Sequence, residues 1–325
     1  MNKVVSQVAL ADVSLEMTRA GFGEGLVEAG QDPRVFALCA DLTDSIKVSS
    51  FAKAYPDRFI EIGVAEQNMM GIAAGLALTG KIPFLASYAV FNPGRNWDQL
   101  RVSVCYSQAN VKIVGAHAGL SVGPDGATHQ ALEDIAITRV LPGLTVVVPT
   151  DALEAKKAVL ALVEHIGPAY IRFGRDKNPQ LTTADTPFVI GKANLFREGK
   201  DITLLANGPM VYEALLAAEQ LVAQGISAEV LAVPTVKPLD EASILASVRK
   251  TNAVVTAEEA QAVGGLGSAV AELLGEQYPV PMYRIGVRDS FGESGKPAEL
   301  MEKFGLTAAD IVKAARAVCD RKVAK

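Results

Sequence analysis

The chain is short of the residue types that build disulfide frameworks and zinc sites. It holds three cysteines in 325 residues, Cys39, Cys105 and Cys319, far apart and in no CxxC pair. They read as buried thiols of a reducing compartment. Aromatic residues are also scarce, 6% of a chain that is 50% hydrophobic. A core so rich in Ala, Val and Leu suits an α/β protein. Neither sign of charge dominates: 31 Lys plus Arg stand against 36 Asp plus Glu, a net −5, which argues against a nucleic-acid partner. No apolar run reaches membrane-spanning length. The first residues, with Asp12 and Glu16 in a helical pattern, have no apolar signal core. No repeat occurs at solenoid periods. The expectation is a cytoplasmic protein without a membrane or nucleic-acid partner, long enough for two domains.

What is present is a steady alternation of short buried strands and helices. Apolar spacing predicts a helix over 13–29, a strand over 35–40, a strand over 58–62, a helix over 69–78 and a strand over 82–87. A helix over 91–106, a strand over 111–116, a helix over 130–140 capped by Thr128, a strand over 144–148, a helix over 151–165 and a strand over 169–173 follow. Residues 176–200, rich in Pro, Asn, Thr and charge, break the rhythm and hold a short strand at 188–190. The alternation then resumes to the end. The pattern is α/β: two α/β domains with mainly parallel sheets, residues 1–185 and 195–325, with a linker over 186–194. Gly21, Gly23 and Gly25 follow no strand, so close helix packing explains them better than a nucleotide loop. Gly264-Gly265-Leu266-Gly267 is not GxGxxG and reads as room for a helix to start against the sheet.

Three places carry residues suited to chemistry. Glu66 stands in the first turn of a helix after a strand and a Gly turn, where a carboxylate serves as a cap or dipole partner unless other residues argue for more. The loop from His117 to His129 holds two of only three histidines in the chain, with Asp125 between them. Histidine moves protons at neutral pH, and the spacing matches no compact metal-ligand motif, so no metal ligand is assigned. Asp41 ends a strand, where parallel sheets place ligands, and Ser45 follows in the same loop. Arg19, Arg172 and Arg175 lie at strand or helix edges, where an arginine is either a surface charge or a clamp for a phosphorylated substrate.

The strings GVAEQNMMGIA around Glu66, HAGLSVGPDGATHQALED from His117 and FGESGKPAELMEKFGL from Phe291 together resemble the transketolase family, and the likeness covers nearly the whole chain. It implies a pyrimidine-binding domain followed by a transketolase C-terminal domain. Glu66 then looks like the glutamate that hydrogen-bonds N1′ of the aminopyrimidine of thiamine diphosphate. Tyr88 and Phe91 resemble the aromatic residues around that ring, and Asp41 a residue of the cofactor and subunit-interface region. A third aromatic is missing near Asn92-Pro93-Gly94. His117 and His129 resemble catalytic histidines of the substrate channel, Asp125 a reader of sugar hydroxyls, and Arg19, Ser45 and Arg175 the contacts of a phosphate end. The family's Gly-Asp-Gly run for the diphosphate is absent, so the chain resembles the C-terminal subunit of a split transketolase. The resemblance implies an N-terminal partner subunit that holds the diphosphate and Mg²⁺, and two copies of each chain in a heterotetramer. The implied activity is transfer of a two-carbon ketol (glycolaldehyde) unit from a ketose phosphate to an aldose phosphate. Alternatives are a β-subunit of a 2-oxo acid dehydrogenase, a deoxyxylulose phosphate synthase-type component, or a non-catalytic subunit that stabilises its partner. Thr128-His129-Gln130 and the paired histidines favour transketolase.

Overall fold

The computed structural model describes residues 4–323. Short apolar runs such as Val35–Cys39, Lys112–Ala116 and Ile202–Ala206 are strands buried on nearly every residue, the pattern of parallel sheets covered on both faces. Seven strands form the first sheet, in the order Thr235–Lys237, Thr145–Val147, Ala169–Arg172, Lys112–Ala116, Ile82–Tyr88, Val35–Cys39 and Phe59–Glu61. All its pairings are parallel except that of Thr235–Lys237 with Thr145–Val147. The second sheet runs Met282–Val287, Val254–Gln261, Ile202–Ala206, Ala228–Ala232 and Asn194–Arg197, with only the last strand antiparallel. The fold is therefore two α/β units with mainly parallel sheets. No helix among the described residues is long and apolar enough to cross a membrane.

The helices Thr18–Ala29 and Ala152–Glu164 pack against each other on the first sheet. A Cβ on Gly21 would lie 1.8 Å from the Ala152 carbonyl oxygen, so only glycine permits this approach. Asp151 caps the second helix by accepting from the Glu154 N–H at 2.9 Å. The same carboxylate accepts from the backbone of Leu181 and Thr182, which fastens the segment leading to the second unit.

Several expected elements differ. The helix expected from residue 13 begins at Thr18, because Leu15–Met17 pairs as a strand with Lys177–Pro179. No strand forms at 188–190; Phe188 and Ile190 pack instead against the cluster of Phe22, Leu26, Val35 and Phe84 on the first sheet. The helix expected over 91–106 is a turn, then Trp97–Gln99, then the π-helix Leu100–Tyr106. Buried Asn92 donates to the carbonyls of Leu85 and Val114, and these side-chain bonds hold the turn against the middle of two strands. The helix expected from 130 is only Asp134–Arg139, since Ala131 bridges back to Ala118. Thr128 is consequently no helix cap; its hydroxyl meets the Asp125 carbonyl and His129 Nδ1. Arg172 is neither surface charge nor clamp. It is buried, with Nε 3.1 Å from Asp134 Oδ2 and Nη2 donating to the Glu259 carbonyl at 2.6 Å.

Candidate active site

Two neighbouring parallel strands, Ile82–Tyr88 and Lys112–Ala116, end side by side with Tyr88 opposite Ala116. Their carboxyl ends deliver Tyr88 and the next residue, His117, to one place, as the geometry of open parallel sheets requires. The rings stack with centroids 4.0 Å apart. Ser45, from the loop after Val35–Cys39, lies with Oγ 2.7 Å from the Tyr88 hydroxyl and 3.5 Å from His117 Nε2. Arg19, in the first turn of its helix, donates to the Ser45 carbonyl at 2.6 Å and comes within 3.4 Å of His117 Nε2. Burial, then the charges of Arg19 and Arg175 and the neighbouring His129, push the His117 imidazole down to about 3. The ring is thus neutral at pH 7, fit to donate or accept a hydrogen bond rather than to carry charge. Its Nδ1 is buried without a hydrogen-bond partner among the described residues.

His129 stands edge-on to Phe91 at 5.5 Å and to Tyr88 at 6.1 Å, with Nδ1 2.9 Å from the Thr128 hydroxyl. Asp125 meets Arg175, Oδ1 to Nη1, at 3.2 Å, and Arg175 also donates to the Val122 carbonyl. A cleft of about 320 Å³ opens beside them, lined by Met17, Arg19, Ser121, Arg175 and Lys177 together with Asp176. Three cations face two carboxylates, Asp176 in the lining and Asp125 paired with Arg175, and the remaining positive charge suits an anionic group.

Glu66 opens the helix Glu66–Leu78 and is 3% exposed. Sequence reasoning missed its partner. Arg95 Nη1 donates to both carboxylate oxygens, at 3.0 and 3.1 Å, while its guanidinium lies 4.1 Å from the Phe91 ring centroid. The turn at 89–96 sets this position: Asn96 Nδ2 donates to the Glu66 carbonyl and Gln67 Nε2 to the Arg95 carbonyl. The available signal was the spacing of four between Phe91 and Arg95, which brings a cation over a ring within one turn. A planar group bearing N–H donors already fits between the Glu66 carboxylate and the Phe91 face. An aminopyrimidine protonated at N1′ offers a like planarity and an N–H edge, so Glu66 and Phe91 fit such a ring where Arg95 gives up its bond to the carboxylate.

The structure thus brings Arg19, Ser45, Glu66, Tyr88, Phe91, His117, Asp125, His129 and Arg175 around one strand-end region. Asp41 stands apart from their hydrogen bonds. It lies exposed with φ 58°, and its N–H donates to Glu61 Oε1 at 2.8 Å.

Residues 16–180 match the transketolase pyrimidine-binding domain, and residues 191–311 the transketolase C-terminal domain. The chain belongs to the transketolase family. It is 51% identical to the 6-deoxy-6-sulfo-D-fructose transketolase subunit of Clostridium sp. strain MSTE9, over 90% of this chain and 91% of that one. It is 40% identical to one of the subunits of the apulose-4-phosphate transketolase of Phocaeicola vulgatus, over 91% and 96% of the two chains. A solved structure described as a split gene transketolase, inactive beta4 tetramer, superimposes with a TM-score of 0.88 at 48% identity, covering 94% of this chain and 98% of that one. Subunits of split transketolases are thus among the relatives of this transketolase-family chain.

Proposed function

We propose that the chain is the C-terminal subunit of a two-chain, thiamine diphosphate-dependent transketolase that moves a two-carbon ketol unit from a ketose phosphate to an aldose phosphate. One observation carries this reading: the buried Glu66 carboxylate and the Phe91 ring bracket a planar N–H donor, beside a neutral His117 and a cationic cleft. Glu66 would hold the N1′ edge of the aminopyrimidine, and Phe91 and Tyr88 its ring, with Asp41 in the cofactor and subunit-interface region. When bound, the cofactor supplies the carbon centre that takes up and releases the ketol unit. His117 and His129 hydrogen-bond the oxygens of the reacting sugar, and Asp125 reads a hydroxyl. Arg19, Ser45 and Arg175 hold the anionic end.

The relatives named as transketolase subunits support a partner subunit; our reading makes it an N-terminal chain that holds the diphosphate and Mg²⁺, with two copies of each chain. We place the division of the chain at 186–194 and the assembly in the cytoplasm.

The deciding experiment reconstitutes the chain with its N-terminal partner and assays Glu66→Gln. The expected outcome is a loss of at least about 100-fold in ketol transfer; a near wild-type rate overturns the reading. A second reading keeps the chemistry and changes the anion: the relative named for a sulfo-sugar favours a sulfonate end, which the cleft of Arg19, Arg175 and Lys177 suits equally. A donor screen with a ketose phosphate, a 6-sulfo ketose and pyruvate separates these. Exclusive use of pyruvate selects a 2-oxo acid enzyme or deoxyxylulose phosphate synthase type. Full turnover by the partner alone selects a stabilising role.

A further inference from the structure

The loop from His117 to His129 carries three of the proposed sugar contacts, yet it is rich in glycine, and its own regular structure is short 3-10 turns over Leu120–Asp125 broken at Gly123. Gly119, Gly123 and Gly126 all have positive φ, and a chain so composed has many alternative conformations. Arg175 and the Ala118–Ala131 bridge hold part of it from its own unit; the rest of its support comes from the other unit. Glu259, on the strand Val254–Gln261, is 1% exposed, and its Oε1 accepts from the Ser121 N–H at 2.6 Å. Gly119 lies against the same carboxylate: a Cβ there would come 2.4 Å from Oε1.

The segment 292–297, from the motif at 291–306, presses on the far part of the loop. The Glu293 carbonyl accepts from Gln130 Nε2 at 2.9 Å, and the same amide donates to the Leu120 carbonyl at 3.2 Å. A Cβ on Gly292 would lie 1.9 Å from Gln130 Oε1, one on Gly126 would lie 2.5 Å from Ser294 Oγ, and one on Gly123 would lie 3.2 Å from Pro297 Cδ. The two surfaces interlock through glycines on both sides, and Arg172 ties the Glu259 carbonyl to Asp134 just past the loop.

We propose that the C-terminal unit is the mould of the sugar-binding loop, with Glu259 and the Gln130–Gly292 contact as positioning residues for the reaction. This rests on reading the loop as sugar-binding. A buried carboxylate accepting a backbone N–H makes a strong, directional bond, and a displacement of about 1 Å in a positioning loop costs up to about 100-fold in rate. The unit that carries no proposed catalytic group thereby helps to set where Asp125 and His129 stand, in a loop anchored at His117 by its own strand.

The test pairs Glu259→Ala with Glu259→Gln, which keeps an oxygen acceptor for Ser121, and adds Gly292→Ala, at a half-buried position where the new methyl meets the far end of the Gln130 side chain. Two readouts are taken. One is amide hydrogen exchange of segment 118–131 in the free chain. The other is sugar KM, kcat and thiamine diphosphate affinity in the reconstituted complex. Glu259→Ala and Gly292→Ala are expected to speed exchange and raise the sugar KM by about tenfold, with cofactor affinity unchanged and Glu259→Gln close to wild type. Unchanged exchange in both overturns the mould, as does equal damage by Glu259→Gln and Glu259→Ala. Faster exchange with an unmoved KM leaves the loop held as described and overturns its reading as sugar-binding.

Discussion

At Glu66 and Arg95 an ion pair has one member sealed and the other half in solvent, with side-chain exposures of 3% and 49%. Water screens the arginine side, but the carboxylate has little contact with it, so the bond weighs more than an ordinary surface pair. Arg95→Ala is expected to destabilise the free chain by about 1–2 kcal/mol, measured by urea unfolding at pH 7. In a Glu66→Gln background the cost should shrink, because no buried charge remains to be compensated. Equal costs in both backgrounds would show the two residues uncoupled.

His117 makes a second prediction at this scale. Its folded-state value, about 3, lies below the ordinary 6.5. Between those values the unfolded chain takes up a proton that the folded chain refuses. Stability should therefore fall as the pH drops from about 6.5 toward 3. His117→Gln is expected to flatten that limb of melting temperature against pH. A limb of unchanged slope would mean that His117 protonates as readily folded as unfolded.

Among the elements, the helix pair Thr18–Ala29 and Ala152–Glu164 has the least room. Gly21→Ala places a methyl 1.8 Å from the Ala152 carbonyl oxygen, so the helices must part. The expected cost is about 1–3 kcal/mol, seen as a lower urea midpoint; an unchanged midpoint would mean the pair shifts freely. This contact was legible in the sequence, because three glycines at alternate positions of one helical stretch suit close packing, although the strand Leu15–Met17 before the helix was not foreseen. The alternating strands, Glu66 at a helix start and the loop of two histidines were legible for similar reasons: period, punctuation and rare residue types are local. Arg95 was not, since its meaning lies in a carboxylate 29 positions away. Nor was the short strand Thr235–Lys237, or the shortening of the helix after His129, where a bridge between Ala118 and Ala131 competes with helical propensity. Arg172 misled because a charge at a strand end is ordinarily exposed, whereas here Asp134 and the Glu259 carbonyl of the second unit enclose it.

In the whole molecule that interior is a buried polar junction. Asp134 takes Tyr170 Oη at 2.7 Å and Arg172 Nε at 3.1 Å, and Arg172 reaches across to the Glu259 carbonyl. Burial and the Asp134 charge push the Tyr170 hydroxyl well above its ordinary range, so it stays a donor. Removing one member strands a buried charge. Asp134→Ala is expected to cost about 3–5 kcal/mol, read from urea unfolding as a lower midpoint at unchanged slope; a loss under about 1 kcal/mol would mean that Arg172 finds another acceptor.

The antiparallel strand Thr235–Lys237 has a consequence for the order in which the protein can be finished. It closes the edge of the first sheet at Thr145–Val147, yet it comes after the strands Ile202–Ala206 and Ala228–Ala232 of the second sheet. Translation delivers the chain from its amino end. A nascent chain that has not yet released Lys237 carries the Thr145–Val147 edge open, with unpaired N–H and C=O groups ready to take any passing strand. The first unit is thus completed on the ribosome only after part of the second has emerged.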